Sequence, residues 1–229
     1  MAALPIAAIT FFAMHLFPST RFRPAAIRAL GEGAYLGLFS VISLASLVWL
    51  TYAFWNAPYG EKLWTMPSAW LWLKAALILM ALILTIGGAS TPNPSLPGGG
   101  KALLRGDLSQ GIFAITRHPL MWGIGIWAMA HLISQGTVRG ILFFGSFALT
   151  ALAGAWLQDK RKLHSLGAGW AAFEKQTSFL PFAALIEGRA HLSLSALGWW
   201  RVGLAVVLWA AVLHFHYQLF GVHPLPANV

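Results

Sequence analysis

The chain has 229 residues, of which 58% are hydrophobic and 9% are charged, whereas soluble domains contain about 25% charged residues, so an ordinary soluble domain is excluded. The absence of cysteine excludes disulfides, thiolate metal sites and cysteine-based catalysis. In a soluble protein, the net charge of +9 would indicate nucleic-acid binding. Here the basic and aromatic residues flank apolar segments. We therefore expect membrane lipids, rather than nucleic acid, as partners.

Six apolar segments follow one another along the chain, each long enough, or nearly so, to cross about 30 Å of hydrocarbon as a helix. They lie at residues 4–17, 35–54, 69–86, 120–133, 141–157 and 202–220. The N-terminal segment lacks both a basic n-region and a small-residue cleavage site, so we expect it to be retained as a helix. The pattern predicts an all-α fold, a polytopic transmembrane helical bundle of about six spans in a single domain over residues 1–229.

Lysine and arginine are distributed unequally between the two ends of the predicted bundle. Twelve of them fall at one end, and three (Lys62, Lys74 and Arg139) fall at the other, where Lys74 is close enough to a helix end to snorkel. Because cytoplasmic loops carry the excess of basic residues, we expect the loops with Arg21 and Arg117 in the cytoplasm and both termini in the periplasm.

The segment from residue 111 to residue 132 contains the strongest indication of a functional site. It places Arg117 and His118 directly before Pro119, at the start of an apolar helix, and His131 near the far end of that helix. Such groups are costly at membrane depth unless they pair, bind a ligand or line a wet cavity. Arg117 needs an anion, and the candidates are Glu32, Asp159 and a bound ligand.

Several motifs occur in an order that is similar to one bacterial membrane family, NnrU. They are MHLFPSTR at 14–21, LGEGAYLGLFS at 30–40, TRHP at 116–119, WG at 122–123, AHL at 130–132, DKR at 159–161 and TSFLPFA at 177–183. The resemblance extends to about Arg189, so residues 4–189 form the family-like core and the span at about 202–220 is an addition. It implies a bacterial inner-membrane protein of nitrite and nitric oxide respiration (denitrification), with a lipophilic small molecule or a respiratory reductase as its partner.

The same resemblance implies a cofactor, because a relative of the NnrU family is ζ-carotene isomerase, a membrane haem b protein with redox-gated cis-to-trans isomerisation. The positions that match its axial ligands are His15 and His131, so the resemblance implies haem b at these residues. Ala128 stands where the isomerase has a cysteine, which removes any ligand exchange with a thiolate. The two histidines could instead have only structural hydrogen bonds near helix ends.

Helix depth favours a different pair of ligands. His15 falls toward the cytoplasmic end of the first span, whereas His131 lies thirteen residues beyond the start of the fourth span, about 20 Å deeper at 1.5 Å per residue. His118 is therefore the competing partner of His15. In either case we expect the site to be enclosed by the first, fourth and fifth spans.

A second resemblance gives an alternative function. Residues 117–123, RHPLMWG, with a later acidic-basic run and Pro181, are similar to the core of isoprenylcysteine carboxyl methyltransferases. That resemblance implies that Arg117 and His118 bind S-adenosylmethionine. The chain departs from the pattern, since Met121 replaces a tyrosine and Asp159 stands where two glutamates are usual. A third hypothesis is a non-catalytic assembly subunit for a reductase.

Overall fold

Every predicted apolar segment forms a helix in the computed structural model, which describes residues 2–96, 98–105 and 108–226. No β-strand occurs within these ranges. The α-helices, in chain order, are α1 (Ala3–Leu16), α2 (Arg23–Leu30), α3 (Glu32–Asn56), α4 (Ala69–Ser90), α5 (Ile112–Ile115), α6 (Pro119–Gln135), α7 (Val138–Leu166), α8 (Ala168–Gln176), α9 (Ala183–Ile186), α10 (Leu194–Leu197) and α11 (Trp199–Phe220). The prediction of an all-α membrane helical bundle is thus confirmed.

The number of spans stays a prediction. Within the described ranges, α3, α4, α7 and α11 are long and apolar enough to cross a membrane. The segments Ala3–Ser19 and Arg23–Leu30 meet at 79° and add a fifth span if the bent pair counts as one. Helix α6 has only 17 residues. Six helices therefore form the bundle, but two of them are short for a bilayer.

Helices α6 and α7 form a hairpin whose turn chemistry is visible in the sequence. Pro119 occupies the first turn of α6, where its missing N–H costs no hydrogen bond. Gly136 ends α6 with a φ of 57°, a left-handed conformation that glycine adopts without a steric penalty. The Thr137 side chain then accepts a hydrogen bond from the Gly140 N–H at 3.2 Å and caps α7.

Small residues bring α4 and α6 into close contact. A Cβ atom added at Gly123 would lie 2.8 Å from the Ala81 carbonyl oxygen and 2.9 Å from the Thr85 nitrogen. Gly88 leaves equally little room opposite Leu120. Because lipid removes the hydrophobic driving force between helices, such close backbone packing is a main source of association in membranes.

The remaining long helices pack around this pair in two different ways. Helices α1, α3 and α7 share a tightly packed cluster that includes Phe11, Leu50 and Phe143. Helix α11 instead packs mainly against α4, where the Trp209 indole N–H donates to the Ala75 carbonyl at 2.8 Å. This peripheral position of α11 leaves a space between it and α3, α6 and α7.

The two ends of the bundle differ in charge as predicted. The end where α1, α4 and α7 finish is called the inner end, and the end near residues 57–68 and 136–137 is the outer end. At the inner end, Arg161 donates to the Pro18 carbonyl and Arg201 donates to Ser90. The C-terminus is predicted to lie in the periplasm, but its residues 227–229 lie outside the described residues.

Candidate functional site

A cavity of about 420 Å³ lies among α3, α4, α6, α7 and α11, toward the outer end of the bundle. Most of its wall is aromatic or aliphatic, with Phe54, Trp127, Phe143, Phe144 and Trp209 among the lining residues. Its volume lies within the roughly 300–1,000 Å³ of small-molecule sites. The fourth and fifth predicted spans, α6 and α7, line this cavity, whereas α1 does not, so enclosure of the site by the first span stays a prediction.

His131 lies in the wall of this cavity. Its ring packs between Trp127, at a centroid distance of 5.3 Å, and Phe144, at 5.1 Å. Its Nδ1 donates to the Trp127 carbonyl oxygen at 2.8 Å. Because a carbonyl only accepts, the proton of the neutral ring is on Nδ1, and Nε2 keeps a lone pair for a ligand or a metal.

His15 has the same local geometry but a different location. Its Nδ1 donates to the Phe11 carbonyl at 2.8 Å, which again leaves Nε2 with a lone pair. The ring packs against Phe11, at 4.2 Å, and faces Phe39 edge-on, at 6.5 Å. His15 does not line the cavity. Both histidines therefore have the tautomer that axial ligation of a haem iron requires.

The structure does not bring His15 and His131 together. A chain of aromatic contacts connects them, in which Phe147 touches both Phe11, at 4.8 Å, and Trp127, at 5.3 Å. His15 lies one turn beyond Phe11 toward the inner end, and His131 lies one turn beyond Trp127 toward the outer end. At 1.5 Å per residue, these offsets of four residues each separate the two histidines by about 12 Å along the bundle axis.

Arg117, His118 and Asp159 form a buried charge cluster, called the inner clasp, between the start of α6 and the last turns of α7. The Arg117 Nε and Nη2 donate to Asp159 Oδ2 at 2.9 and 2.7 Å. The His118 Nε2 donates to Asp159 Oδ1 at 2.6 Å. Glu174 adds a longer contact to the Arg117 Nη2 at 3.6 Å. Asp159 is thus the anion that Arg117 needs, whereas Glu32 makes no such contact.

The inner clasp limits what Arg117 and His118 can do for a ligand. The carboxylate of Asp159 occupies both donors on one edge of the guanidinium. His118 is fully enclosed beside Trp170 and Phe179, and its Nδ1 has no hydrogen-bond partner among the described residues. His118 therefore offers no free Nε2, unlike His15 and His131.

The loop that follows α4 is hydrogen-bonded to α7 beside the inner clasp. Asn93 donates to the Gly88 carbonyl at 2.9 Å, and Ser95 donates to the Arg117 carbonyl at 2.8 Å. From α7, the Lys162 ammonium donates to the Pro94 carbonyl at 2.7 Å, and Gln158 donates to the Ser95 carbonyl. The sequence indicated only a Pro- and Gly-rich connector here, because its partners on α7 lie more than 60 residues away.

Apart from His131, sequence reasoning missed the charged and imidazole side chains of the cavity. Lys74 was expected to snorkel to a helix end, but it is only 9% exposed and lines the cavity, so that expectation is wrong. Arg139 and His216 also line it. The signal that could have found Lys74 is its position inside an apolar run, where a charged residue is a site candidate by default.

The sequence is similar to known proteins over most of its length. A family model described as "NnrU protein" matches residues 3–224, which include α11. The chain belongs to the NnrU family. Two curated relatives of this NnrU protein are "15-cis-zeta-carotene isomerase, chloroplastic" from Zea mays and from Arabidopsis thaliana. The first is 30% identical over 177 residues and the second is 30% identical over 178 residues. Each match covers 72% of the NnrU chain and 45% of the relative, so the chain spans about half the length of these relatives. No solved structure matches it.

Proposed function

We propose that this NnrU-family protein binds a lipophilic polyene-like molecule in the cavity and catalyses its cis-to-trans isomerisation within the membrane. The observation that carries the proposal is the cavity itself, an aromatic-lined space of about 420 Å³ that reaches His131. The names of the relatives, 15-cis-ζ-carotene isomerases, support the same class of substrate and reaction.

The residues of the cavity suit a flat conjugated chain. Trp127 and Phe143 each contact Phe144, at centroid distances of 5.4 and 5.0 Å, and the three rings present a largely apolar wall. Aromatic rings of this kind bind planar π-systems by stacking and exclude water from them. The described residues therefore position the substrate and keep its double bonds in a dry environment.

The proposal includes a haem b held by His15 and His131. It is supported by the free Nε2 atoms of both rings, since an axial ligand of haem iron is an unprotonated imidazole nitrogen. When bound, the haem would supply one-electron redox chemistry. Ligation by both residues requires Phe11, Phe147 and Trp127 to repack, because these rings now connect the two histidines.

The cellular setting is part of the proposal. The excess of basic residues at the inner end supports a bacterial inner-membrane orientation with both termini in the periplasm. The resemblance to the NnrU family supports a role in nitrite and nitric oxide respiration, with a reductase as partner. The contacts of Arg117 and His118 do not favour S-adenosylmethionine, since both side chains bind Asp159 instead.

Absorption spectra of purified variants supplied with haem test the cofactor. We expect reduced α and β bands of a low-spin haem in the wild type and in His118→Ala, and their loss in His15→Ala and His131→Ala. His214→Ala is the matched control, because His214 is exposed outside the cavity. Loss of the bands in His118→Ala but not in His131→Ala would show that the ligand assignment is wrong.

Proteoliposomes loaded with 15-cis-ζ-carotene test the reaction. We expect chromatography to show conversion of the 15-cis double bond to trans under reducing conditions, and loss of this conversion in Phe144→Ala, which opens the wall beside His131. Leu104→Ala is the control, since Leu104 is 86% exposed and far from the cavity wall. Wild-type protein that leaves the isomer ratio unchanged with and without haem would refute isomerisation of this substrate.

A further inference from the structure

The cavity carries an unbalanced positive charge. Only three lysine or arginine residues belong to the outer end, and two of them, Lys74 and Arg139, line the cavity. The imidazoles of His131 and His216 lie in the same wall. No aspartate or glutamate is found among the lining residues that the structure describes. A purely hydrocarbon ligand gives no reason for this arrangement.

Lys74 is the least expected member of this group. It lies in α4, is only 9% exposed, and has no hydrogen bond or ion pair within the part of the chain that the structure describes. His131 and His216 line the same cavity as Lys74, so the three side chains share one environment. An ammonium group at such a position is costly unless an opposite charge accompanies it.

Arg139, at the start of α7, is only partly satisfied by the protein. Its Nη1 donates to the Ala57 carbonyl at 3.2 Å, and its guanidinium packs on Phe54 and Tyr59 at 5.0 and 4.3 Å. Its Nε is buried without a hydrogen-bond partner among the described residues. The aromatic rings therefore hold a planar fork of donors at the cavity wall, which is the arrangement that binds carboxylates.

We propose that Lys74 and Arg139 bind the carboxylate of a lipophilic ligand whose apolar body fills the rest of the cavity. This inference rests on the proposed function only in taking the cavity as the ligand site. The carboxylate has two possible sources, an acidic polyene substrate or the propionate groups of haem. Both kinds of carboxylate present the same charge to Lys74 and Arg139, and the experiment below distinguishes the two sources.

Binding is measured in nanodiscs of zwitterionic phosphatidylcholine, which contain no competing anionic lipid. The first arm compares cis-parinaric acid, a conjugated tetraene carboxylic acid, with its methyl ester. Binding is followed by energy transfer from tryptophan to the tetraene, and nanodiscs without the protein give the background. The second arm compares haem with haem dimethyl ester by absorbance. Wild-type protein is compared with Lys74→Met, Arg139→Gln and the control Lys62→Met, whose exposed lysine belongs to the outer end but lies outside the cavity.

We expect wild-type protein and Lys62→Met to bind the acid of at least one pair about tenfold more tightly than its ester, which corresponds to about 1.4 kcal/mol. Lys74→Met and Arg139→Gln should lose this preference while still binding the ester, which also shows that their cavity is intact. The pair that shows the preference identifies the source of the carboxylate.

Three results would overturn the inference. Equal binding of acid and ester in both pairs would refute an anion subsite while leaving the cavity as a ligand site. A preference that persists in both variants would refute its assignment to Lys74 and Arg139. Absence of binding by all four probes would also refute the inference, whereas the proposed function would still be tested separately by the isomerisation of 15-cis-ζ-carotene.

Discussion

Replacing Asp159 by asparagine should destabilise the inner end of the bundle more than any other single isosteric change there. Asp159 accepts charge-assisted hydrogen bonds from both Arg117 and His118, and its side chain is only 11% exposed. The carboxamide keeps the shape of the carboxylate but removes its charge. Arg117, which is 13% exposed, is then left as a buried cation whose nearest acid is Glu174 at 3.6 Å.

The expected loss follows from the burial of the pair. Removing one partner of a buried ion pair costs about 3–5 kcal/mol, because the remaining charge stays desolvated. The matched control is Glu187→Gln, which breaks the ion pair between Glu187 and Arg189 at the same end of the bundle. The Glu187 side chain is 53% exposed and the Arg189 side chain is 36% exposed. Exposed pairs contribute only about 0–1 kcal/mol, so the control should change the stability little.

The assay is reversible unfolding of the purified protein in mixed micelles by titration with sodium dodecyl sulfate, with the free energy taken from the transition. A second comparison adds Arg117→Met to Asp159→Asn. Because the added substitution removes the unpaired cation, the two losses should be less than additive. A loss in Asp159→Asn no larger than that of Glu187→Gln would refute the conclusion that the inner clasp stabilises this end.

Two further predictions concern the bundle. Gly123→Ala should destabilise the protein by about 1–3 kcal/mol, because its Cβ would press on the Ala81 carbonyl and on Thr85, whereas the control Gly145→Ala has open space around it. Reporter fusions near Gly60 should be active in the periplasm, and fusions near Ser165 should be active in the cytoplasm, as the basic residues at the inner end predict. Equal stability of the two alanine variants would contradict the first prediction. A reversed reporter pattern would contradict the second.

The fold was largely predictable because the apolar segments and their interruptions determine where helices occur. Pro119, Gly136 and Thr137 predict the α6–α7 hairpin through local chemistry alone. The faces that these helices turn inward were not predictable in the same way. Helices such as α4 are apolar on nearly every side, so their periodicity does not indicate which residues meet. The position of α11 beside α4, and thus the cavity, depends on such contacts.

The candidate site was predictable only in part for a related reason. His131 and Arg117 stood out as polar residues in apolar surroundings, and the structure gives each of them a defined environment. Lys74 carried the same signal but was attributed to snorkelling, which the burial of its side chain excludes. The pairing of Arg117 with Asp159 spans 42 residues, so sequence spacing could only name Asp159 among several candidates.

The length of α7 gives the molecule a rigid connection across the membrane. Its 29 residues extend about 43 Å, so the helix carries Arg139 at the cavity and Asp159, twenty residues later, at the inner clasp. A tilt of about 5° about Asp159 would move the cavity end of this rod, about 30 Å away, by nearly 3 Å. A ligand in the cavity that tilted α7 would thereby also move the part of the helix beyond Asp159, where the exposed Lys160 lies at the opposite end of the bundle.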